Sequence, residues 1–141
     1  MRNLDREQIF SKCIDIEGIN RCAYCGEEIT LKQMHVDHLR PIFRGWLDEH
    51  KPERVGTDTI DNMVPACRAC NLWKSTHSLE QFRVELSAQI GRLRLRSAAF
   101  RMAERFGQVR PTGEDVVFWF EKHRPLTGCV CIQDECYPEG A

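Results

Sequence analysis

Residues 22–25 are Cys-Ala-Tyr-Cys, and residues 67–74 are Cys-Arg-Ala-Cys-Asn-Leu-Trp-Lys. Two Cys-x-x-Cys pairs can supply four thiolates to one tetrahedral zinc ion, because each tight turn places its two sulfurs on the same side. The 41-residue segment between the pairs would then have its two ends close together in space. We therefore predict a structural zinc ion with the ligands Cys22, Cys25, Cys67 and Cys70.

The eight cysteines of the chain would also suit a secreted protein with many disulfides. Four of them lie in paired Cys-x-x-Cys spacing, and this spacing, with the lack of an apolar signal region, favours reduced, metal-bound thiolates in a cytoplasmic protein. A thioredoxin-like redox site would need only one pair, whereas a rubredoxin-like iron site uses similar ligands and stays open. A second metal site is a further alternative near the C-terminus, where free thiols are favoured; its ligands would be His123, Cys129, Cys131 and Cys136.

The composition is that of an ordinary folded protein of one domain, with 42% hydrophobic and 29% charged residues among 141. No apolar run reaches about 18 residues, so we predict no membrane span. The net charge of −1 gives no sign of a nucleic-acid partner, but residues 83–110 hold seven arginines against two glutamates. Such a local excess of positive charge suits contact with a phosphate backbone.

Hydrophobic periodicity and turn residues divide the chain into four segments. These are an N-terminal helix within residues 1–20, a core at 21–77, a helical arginine-rich extension at 78–124, and an irregular Cys-containing tail at 125–141. The finer pattern predicts a helix over 4–16, a strand or hairpin over 28–38, a surface insertion over 46–58, a helix including 71–74, a long helix over 79–106 and a short apolar element over 114–121. Ser78 and Gln81 have capping-box spacing at the start of the long helix, and Gly91 is its predicted interruption.

Two further motifs lie between the cysteine pairs, His35-Val-Asp37-His38-Leu-Arg-Pro41 and Asp61-Asn62-Met-Val-Pro. Together with residues 67–74, this ordered set resembles the zinc-stapled HNH endonucleases over about residues 20–76. The resemblance implies an α+β fold with a ββα-metal core, in which a hairpin and a helix surround a catalytic ion. The sequence departs from the common pattern by having Asn71 in place of His, a single Gly45, and a long insertion after Gly45.

Phosphodiester hydrolysis needs an activated water, stabilisation of charge on the phosphate and help for the leaving oxygen. His38 is the candidate general base, because an imidazole accepts a proton near neutral pH. Asp37 and Asn71 can offer oxygen ligands to Mg²⁺ or Mn²⁺, leaving room for water and substrate in a one-metal site. The resemblance implies the same roles, and makes Asn62 the residue that orients the loop holding His38.

Helical spacing places four residues near one face of a helix, which are Cys67, Cys70, Asn71 and Lys74, so that zinc would orient Asn71. Phosphate contacts are predicted for Lys74, Arg92, Arg94, Arg96, Arg101 and Arg105. The alternative for these six is a solvated surface charge. His35 shares a strand face with Asp37, and a hydrogen-bonded structural role is favoured for it over contact with metal or phosphate.

The sequence thus predicts a metal-dependent DNA endonuclease with structural Zn²⁺ and catalytic Mg²⁺ or Mn²⁺. A single site cuts one strand at a time, so a double-strand break would need a homodimer or two events. The alternative function is a zinc-knuckle module that binds nucleic acid without cleaving it. A rubredoxin-like electron carrier is the third hypothesis.

Overall fold

The computed structural model describes residues 2–43 and 55–123, and the backbone of residues 131–132 and 135–136. Its elements are α1 (Asn3–Phe10), β1 (His35–His38), β2 (Met63–Ala66), α2 (Arg68–Lys74), α3 (Leu79–Ser87), α4 (Gln89–Arg96), α5 (Ala98–Arg105), α6 (Trp119–Lys122), β3 (Cys131–Ile132) and β4 (Glu135–Cys136). Helices and a small antiparallel sheet form the predicted α+β class. None of the described helices is long and apolar enough to cross a membrane.

The centre of the fold is a ββα unit made by β1, β2 and α2. The two strands are antiparallel, with His35 opposite Ala66 and His38 opposite Met63. All four residues of β2 are buried, as expected for a strand covered on both faces. Cys67 follows β2 directly and is the N-cap of α2, where its sulfur accepts a hydrogen bond from the backbone N–H of Cys70. The ββα-metal prediction is therefore confirmed for the fold.

The N-terminal helix is fixed to this unit by side chains that bind backbone carbonyls. Arg6 donates to the carbonyls of Leu31 and Met34, each at 3.1 Å. Lys12 lies in a 3₁₀ turn, Ser11–Cys13, and donates to the carbonyl of Met63 at 2.7 Å. The predicted helix over 4–16 is thus α1 followed by this turn, after which the chain leaves helical geometry at Ile14.

A cluster of aromatic rings joins the first cysteine pair to the C-terminal helices. Tyr24 contacts Phe82 of α3 and Phe118 edge-on, with ring centroids 5.6 and 5.4 Å apart. The backbone N–H of Trp119 donates to the carbonyl of Tyr24 at 2.9 Å. Arg83 donates to the carbonyl of Val116 at 2.6 Å. The buried core therefore includes residues from well outside 21–77.

The predicted long helix over 79–106 is three helices. The capping box of Ser78 and Gln81 is present at the start of α3. The breaks fall at Ala88 and at Ser97, whose hydroxyl accepts from the N–H of Phe100 and so caps α5. Gly91 lies inside α4, so the interruption predicted there is wrong. A solvent-exposed helix can tolerate one glycine at a cost of about 1 kcal/mol.

Three other segments differ from the prediction. Only residues 35–38 of the predicted strand over 28–38 are extended in the sheet, because Thr30 and Gln33 form a side-chain-stabilised turn. The apolar element over 114–121 is helical only from Trp119. In the tail predicted to be irregular, β3 and β4 form a short antiparallel pair. Most of the predicted insertion over 46–58 lies outside the described residues.

Candidate active site

The four predicted zinc ligands form one cluster. Their sulfur atoms all lie within 4.8 Å of one another, and the sulfurs of Cys25 and Cys67 are 3.8 Å apart. Thiolates about 2.3 Å from a tetrahedral ion are about 3.8 Å apart, so the spacing fits such an ion. All four are free thiols. The cluster can therefore bind a metal ion such as zinc.

Local backbone geometry brings each cysteine pair into position. The turn after Cys22 closes with a hydrogen bond from the N–H of Gly26 to the carbonyl of Cys22 at 3.0 Å. Gly26 has φ +79°, and a Cβ there would lie 2.4 Å from Cδ1 of Trp119. Glycine is required at this position because a side chain would be strained and would also collide with the indole ring.

The thiols of Cys22, Cys25 and Cys70 influence one another's ionisation. Hydrogen bonds from Cys25 and Cys70 stabilise the thiolate of Cys22 and lower its pKa. Contact with that thiolate raises the pKa values of Cys25 and Cys70. The thiol of Cys22 therefore loses its proton readily, whereas the thiols of Cys25 and Cys70 lose theirs less readily. A divalent metal removes this conflict, because it binds the deprotonated form of each ligand.

The other predicted ligands, Asp37 and Asn71, lie where β1 faces α2. Nδ2 of Asn71 is 3.4 Å from Nδ1 of His35, and Nζ of Lys74 is 3.0 Å from Oδ2 of Asp37. His35 and Asp37 are two residues apart on a strand, while Asn71 and Lys74 are three apart on a helix. His35 and Asp37 therefore lie on the same face of β1, and Asn71 and Lys74 lie on the same face of α2. The structure thus brings Asp37 and Asn71 to the same side of the unit.

The contact with His35 determines which atom of the Asn71 side chain faces away from β1. It engages the amide nitrogen and leaves Oδ1 as the atom that can bind a cation. A structural hydrogen bond was the favoured prediction for His35, and the geometry agrees with it. The same bond gives His35 an orienting position next to a predicted cation ligand.

Lys74 is the clearest correction to the sequence predictions. It has no exposed surface, so it cannot contact a phosphate and is not a solvated surface charge. Its ammonium group pairs with Asp37 and donates to the carbonyl of His38 at 2.7 Å. Burial lowers the pKa of Lys74, and the charge of Asp37 partly offsets that effect. Lys74 is therefore a buried residue that binds Asp37 and the backbone of His38.

Asp37 has a second partner that the sequence did not reveal. The hydroxyl of Tyr24 donates a hydrogen bond to Oδ2 of Asp37, the same oxygen that pairs with Lys74. Burial, together with the charge of Asp37, raises the pKa of Tyr24 well above its ordinary value. The hydroxyl therefore keeps its proton and remains a donor. An aromatic residue inside a Cys-x-x-Cys turn carries no sequence signal for this role.

The imidazole of His38 pairs with an acid that sequence reasoning also missed. Its Nε2 is 2.8 Å from Oδ1 of Asp58. The His38 side chain is 17% exposed and that of Asp58 is 70% exposed, so the pair is open to solvent on the Asp58 side. Among the described residues, the imidazole makes no hydrogen bond to Asp37 or Asn71. The stretch around Asp58 has no motif that would have identified it.

Asn62 holds the chain segments on either side of this pair together. It is completely buried. Its Nδ2 donates to the carbonyls of Arg40 and Thr57, both at 2.8 Å, and its Oδ1 accepts from the N–H of Arg40 at 2.9 Å. Arg40 lies two residues after His38, and Thr57 precedes Asp58. Asn62 is therefore a buried cross-link between the two segments.

Gly56 makes that close approach feasible. A Cβ at Gly56 would lie 2.1 Å from the carbonyl oxygen of Arg40 and 2.6 Å from Nδ2 of Asn62. Any other residue would push the two segments apart and break the hydrogen bonds of Asn62. Sequence reasoning treated Gly56 as part of a surface insertion and missed this requirement.

The predicted arginine patch divides into two groups. Arg92 pairs with Glu85 at 2.7 Å, and Arg94 pairs with Glu104 at 2.5 Å. Their charges are offset within the protein, so the prediction of phosphate contact is weakened for these two. Among the described residues, no carboxylate pairs with the remaining three, which are Arg96, Arg101 and Arg105. Helices α4 and α5 contain no buried residue, so this second group is open to solvent.

Of the alternative second metal site, the structure describes only the side chain of His123. His123 stacks on Trp119, with ring centroids 4.9 Å apart, and its Nδ1 lies 3.2 Å from a backbone carbonyl. Cys129 lies outside the described residues, and only the backbone of Cys131 and Cys136 is described.

The central part of the chain is similar to known proteins. Residues 22–77 match the model of the HNH endonuclease family. The SPbeta prophage-derived putative HNH endonuclease YoqL of Bacillus subtilis (strain 168) is 33% identical over an alignment of 78 residues. The match covers 52% of this chain and 30% of that protein. The crystal structure of the Type II-C Cas9 enzyme from Actinomyces naeslundii is similar at 21% identity, over 79% of this chain and 12% of the other. Its TM-score of 0.41 is too low to support a conclusion.

Proposed function

Residues 22–77 belong to the HNH endonuclease family, and from this premise we propose that the chain is a metal-dependent DNA endonuclease. The observation that carries the proposal is the common position of Asp37 and Asn71 between β1 and α2, with His38 ending the same strand. In the proposed reaction, one divalent ion assists hydrolysis of a phosphodiester bond. Thiolate ligands require reducing conditions, which suits a cytoplasmic enzyme.

His38 is proposed as the general base. Its Nε2 faces Asp58, so Nδ1 is the nitrogen that can take a proton from the attacking water. The carboxylate of Asp58 would fix the ring orientation and stabilise the imidazolium that forms. Asn62 supports this step indirectly, since it fixes the two segments that carry the pair.

Asp37 and Asn71 are proposed to hold the catalytic Mg²⁺ or Mn²⁺. Each has one side-chain atom engaged by a neighbour, and each has a remaining oxygen suited to a hard cation. The bound ion would polarise the phosphate and stabilise the leaving 3′ oxygen. The four thiolates of Cys22, Cys25, Cys67 and Cys70 are proposed to hold a separate, structural Zn²⁺.

Incubation of supercoiled plasmid with purified protein tests this function. We expect cleavage with Mg²⁺ or Mn²⁺ and none with chelator, and nicked circles should precede linear DNA because one site cuts one strand. Direct formation of linear product would indicate a homodimer. A metal-independent gel shift without products would instead support the zinc-knuckle binding module. A visible iron–thiolate spectrum would support the rubredoxin-like carrier.

Asp58 gives the first prediction. Asp58→Asn should lower kcat about 10-fold, because the amide cannot stabilise a protonated imidazole as a carboxylate does. The effect is limited by the high exposure of Asp58. Asp61→Asn is the control. Asp61 is an exposed acid in the same stretch, and its substitution removes the same charge. Equal kcat values for the two variants, measured by plasmid nicking, would exclude this role for Asp58.

The arginines give the second prediction. Arg96 and Arg105 should contact phosphate, whereas Arg92 and Arg94 are paired with glutamates. Replacing the first two by Gln should weaken DNA binding and reduce the slope of log K against log salt by about 2, for two lost phosphate contacts. Replacing the second two removes the same net charge. Fluorescence anisotropy at several salt concentrations compares the two double variants, and equal losses would show that only net charge matters.

A further inference from the structure

Both close contacts of the Asp37 carboxylate fall on a single oxygen. The Tyr24 hydroxyl and the Lys74 ammonium group reach Oδ2, and within the described residues nothing donates a hydrogen bond to Oδ1. Asp37 is only 6% exposed and Lys74 is fully buried. The carboxylate therefore has a fixed direction, with one oxygen committed to the protein interior and the other left free.

The two partners of Asp37 come from the two halves of the cysteine cluster. Tyr24 lies between Cys22 and Cys25 in the first turn. Lys74 follows Cys70 by four residues on α2, which is about one helical turn. A metal ion on the four sulfurs would therefore fix the backbone of both partners at once.

We infer that Tyr24 and Lys74 are positioning residues that aim Oδ1 of Asp37 at the catalytic cation and so couple the geometry of the four-cysteine site to that of the second site. This inference rests on the proposed function, because it takes Asp37 as a ligand of the catalytic cation. It adds a physical link between two sites that otherwise share only neighbouring elements.

The surroundings of each partner suit a positioning role. Tyr24 is surrounded by the rings of Phe82, Phe118 and Phe120, so its hydroxyl cannot turn towards solvent. The ammonium group of Lys74 lies 3.0 Å from Oδ2 of Asp37 and carries the opposite charge. Part of the carboxylate charge is then already compensated. The second site should accordingly hold its ion loosely and exchange it, unlike the thiolate site.

Tyr24→Phe tests the inference, since it removes the hydroxyl and keeps the ring. We expect zinc content to stay at that of the wild type, as measured by elemental analysis. Affinity for Mn²⁺, measured from the free-ion electron paramagnetic resonance signal, should fall about 10-fold, the usual effect of removing a partner of a metal ligand. The kcat for plasmid nicking should fall by a similar factor, with KM for DNA within about twofold of the wild type.

Ser78→Ala is the matched control. It removes the side-chain hydrogen bond that caps α3, so it destabilises the fold without touching Asp37, and its Mn²⁺ affinity should equal that of the wild type. Wild-type Mn²⁺ affinity and kcat in Tyr24→Phe would overturn the inference, and so would an equal loss of affinity in Ser78→Ala. If the wild-type protein cleaves no DNA, the proposed function fails, while the Mn²⁺ comparison still decides whether Tyr24 orients Asp37.

Discussion

Cys70→Ser is expected to abolish the folded state of the chain at 25 °C. The apparent free energy of zinc binding to small zinc domains is about 10–16 kcal/mol, and it contributes directly to folding. A domain of this size has a total stability of about 5–15 kcal/mol, so weakening the metal site removes much of it. Circular dichroism should show loss of the cooperative thermal transition, and elemental analysis should show less than one zinc ion per chain.

Cys13→Ala provides the control for this prediction. Cys13 is also completely buried, but it is not part of the four-sulfur cluster. Its replacement should cost about 1 kcal/mol, as is usual for a single substitution, and should leave zinc content unchanged. A Cys70→Ser protein that binds zinc fully and melts at the wild-type temperature would contradict the proposed structural role of the metal.

Loss of the metal should also affect the chemistry before the protein unfolds completely. Tyr24 lies within one cysteine turn, and Lys74 lies on the helix that begins at the other. Both hold Asp37. A chain with a partly disordered cysteine cluster should therefore lose the direction of Asp37 even where β1 and β2 remain paired.

The parts of this site that short-range spacing determines could be predicted from the sequence. Two Cys-x-x-Cys pairs constrain their sulfurs through local turn geometry, and the cluster has the spacing that a tetrahedral ion needs. The capping box of Ser78 and Gln81 is likewise a contact over three residues. Asn62, for which the family resemblance implies an orienting role, makes three hydrogen bonds to the backbone of Arg40 and Thr57.

The contacts between distant residues could not be predicted in this way. Lysine is rarely buried, and only the fold places Lys74 against Asp37. The same holds for Asp58, which contacts His38 although it lies 20 residues later in the sequence. The pairing of Arg92 and Arg94 with glutamates also depends on how α3, α4 and α5 turn back on one another. In each case the sequence shows the residue type but does not show which residue it contacts.

His38→Ala is expected to reduce the rate of DNA cleavage by about 10²–10⁴-fold, the usual contribution of a positioned general base. The fold should persist, because the His38 side chain is partly exposed and Lys74 binds only its backbone carbonyl. Zinc content and DNA affinity should therefore match those of the wild type. Single-turnover nicking of plasmid with saturating Mg²⁺ measures the chemical step, so that slow product release does not hide the loss.

His77→Ala is the matched control for His38→Ala, since His77 is a partly buried histidine outside the candidate site. This substitution should leave the rate of cleavage unchanged. Added imidazole offers a second readout, because a small base entering the space left by His38 should restore part of the activity. If His38→Ala cleaves at the wild-type rate, the base lies elsewhere and the His38–Asp58 pair is structural. If it binds DNA with wild-type affinity but no longer cleaves it, binding and chemistry are separable. That second outcome would argue against the binding-module alternative, because a protein that only binds has no rate to lose.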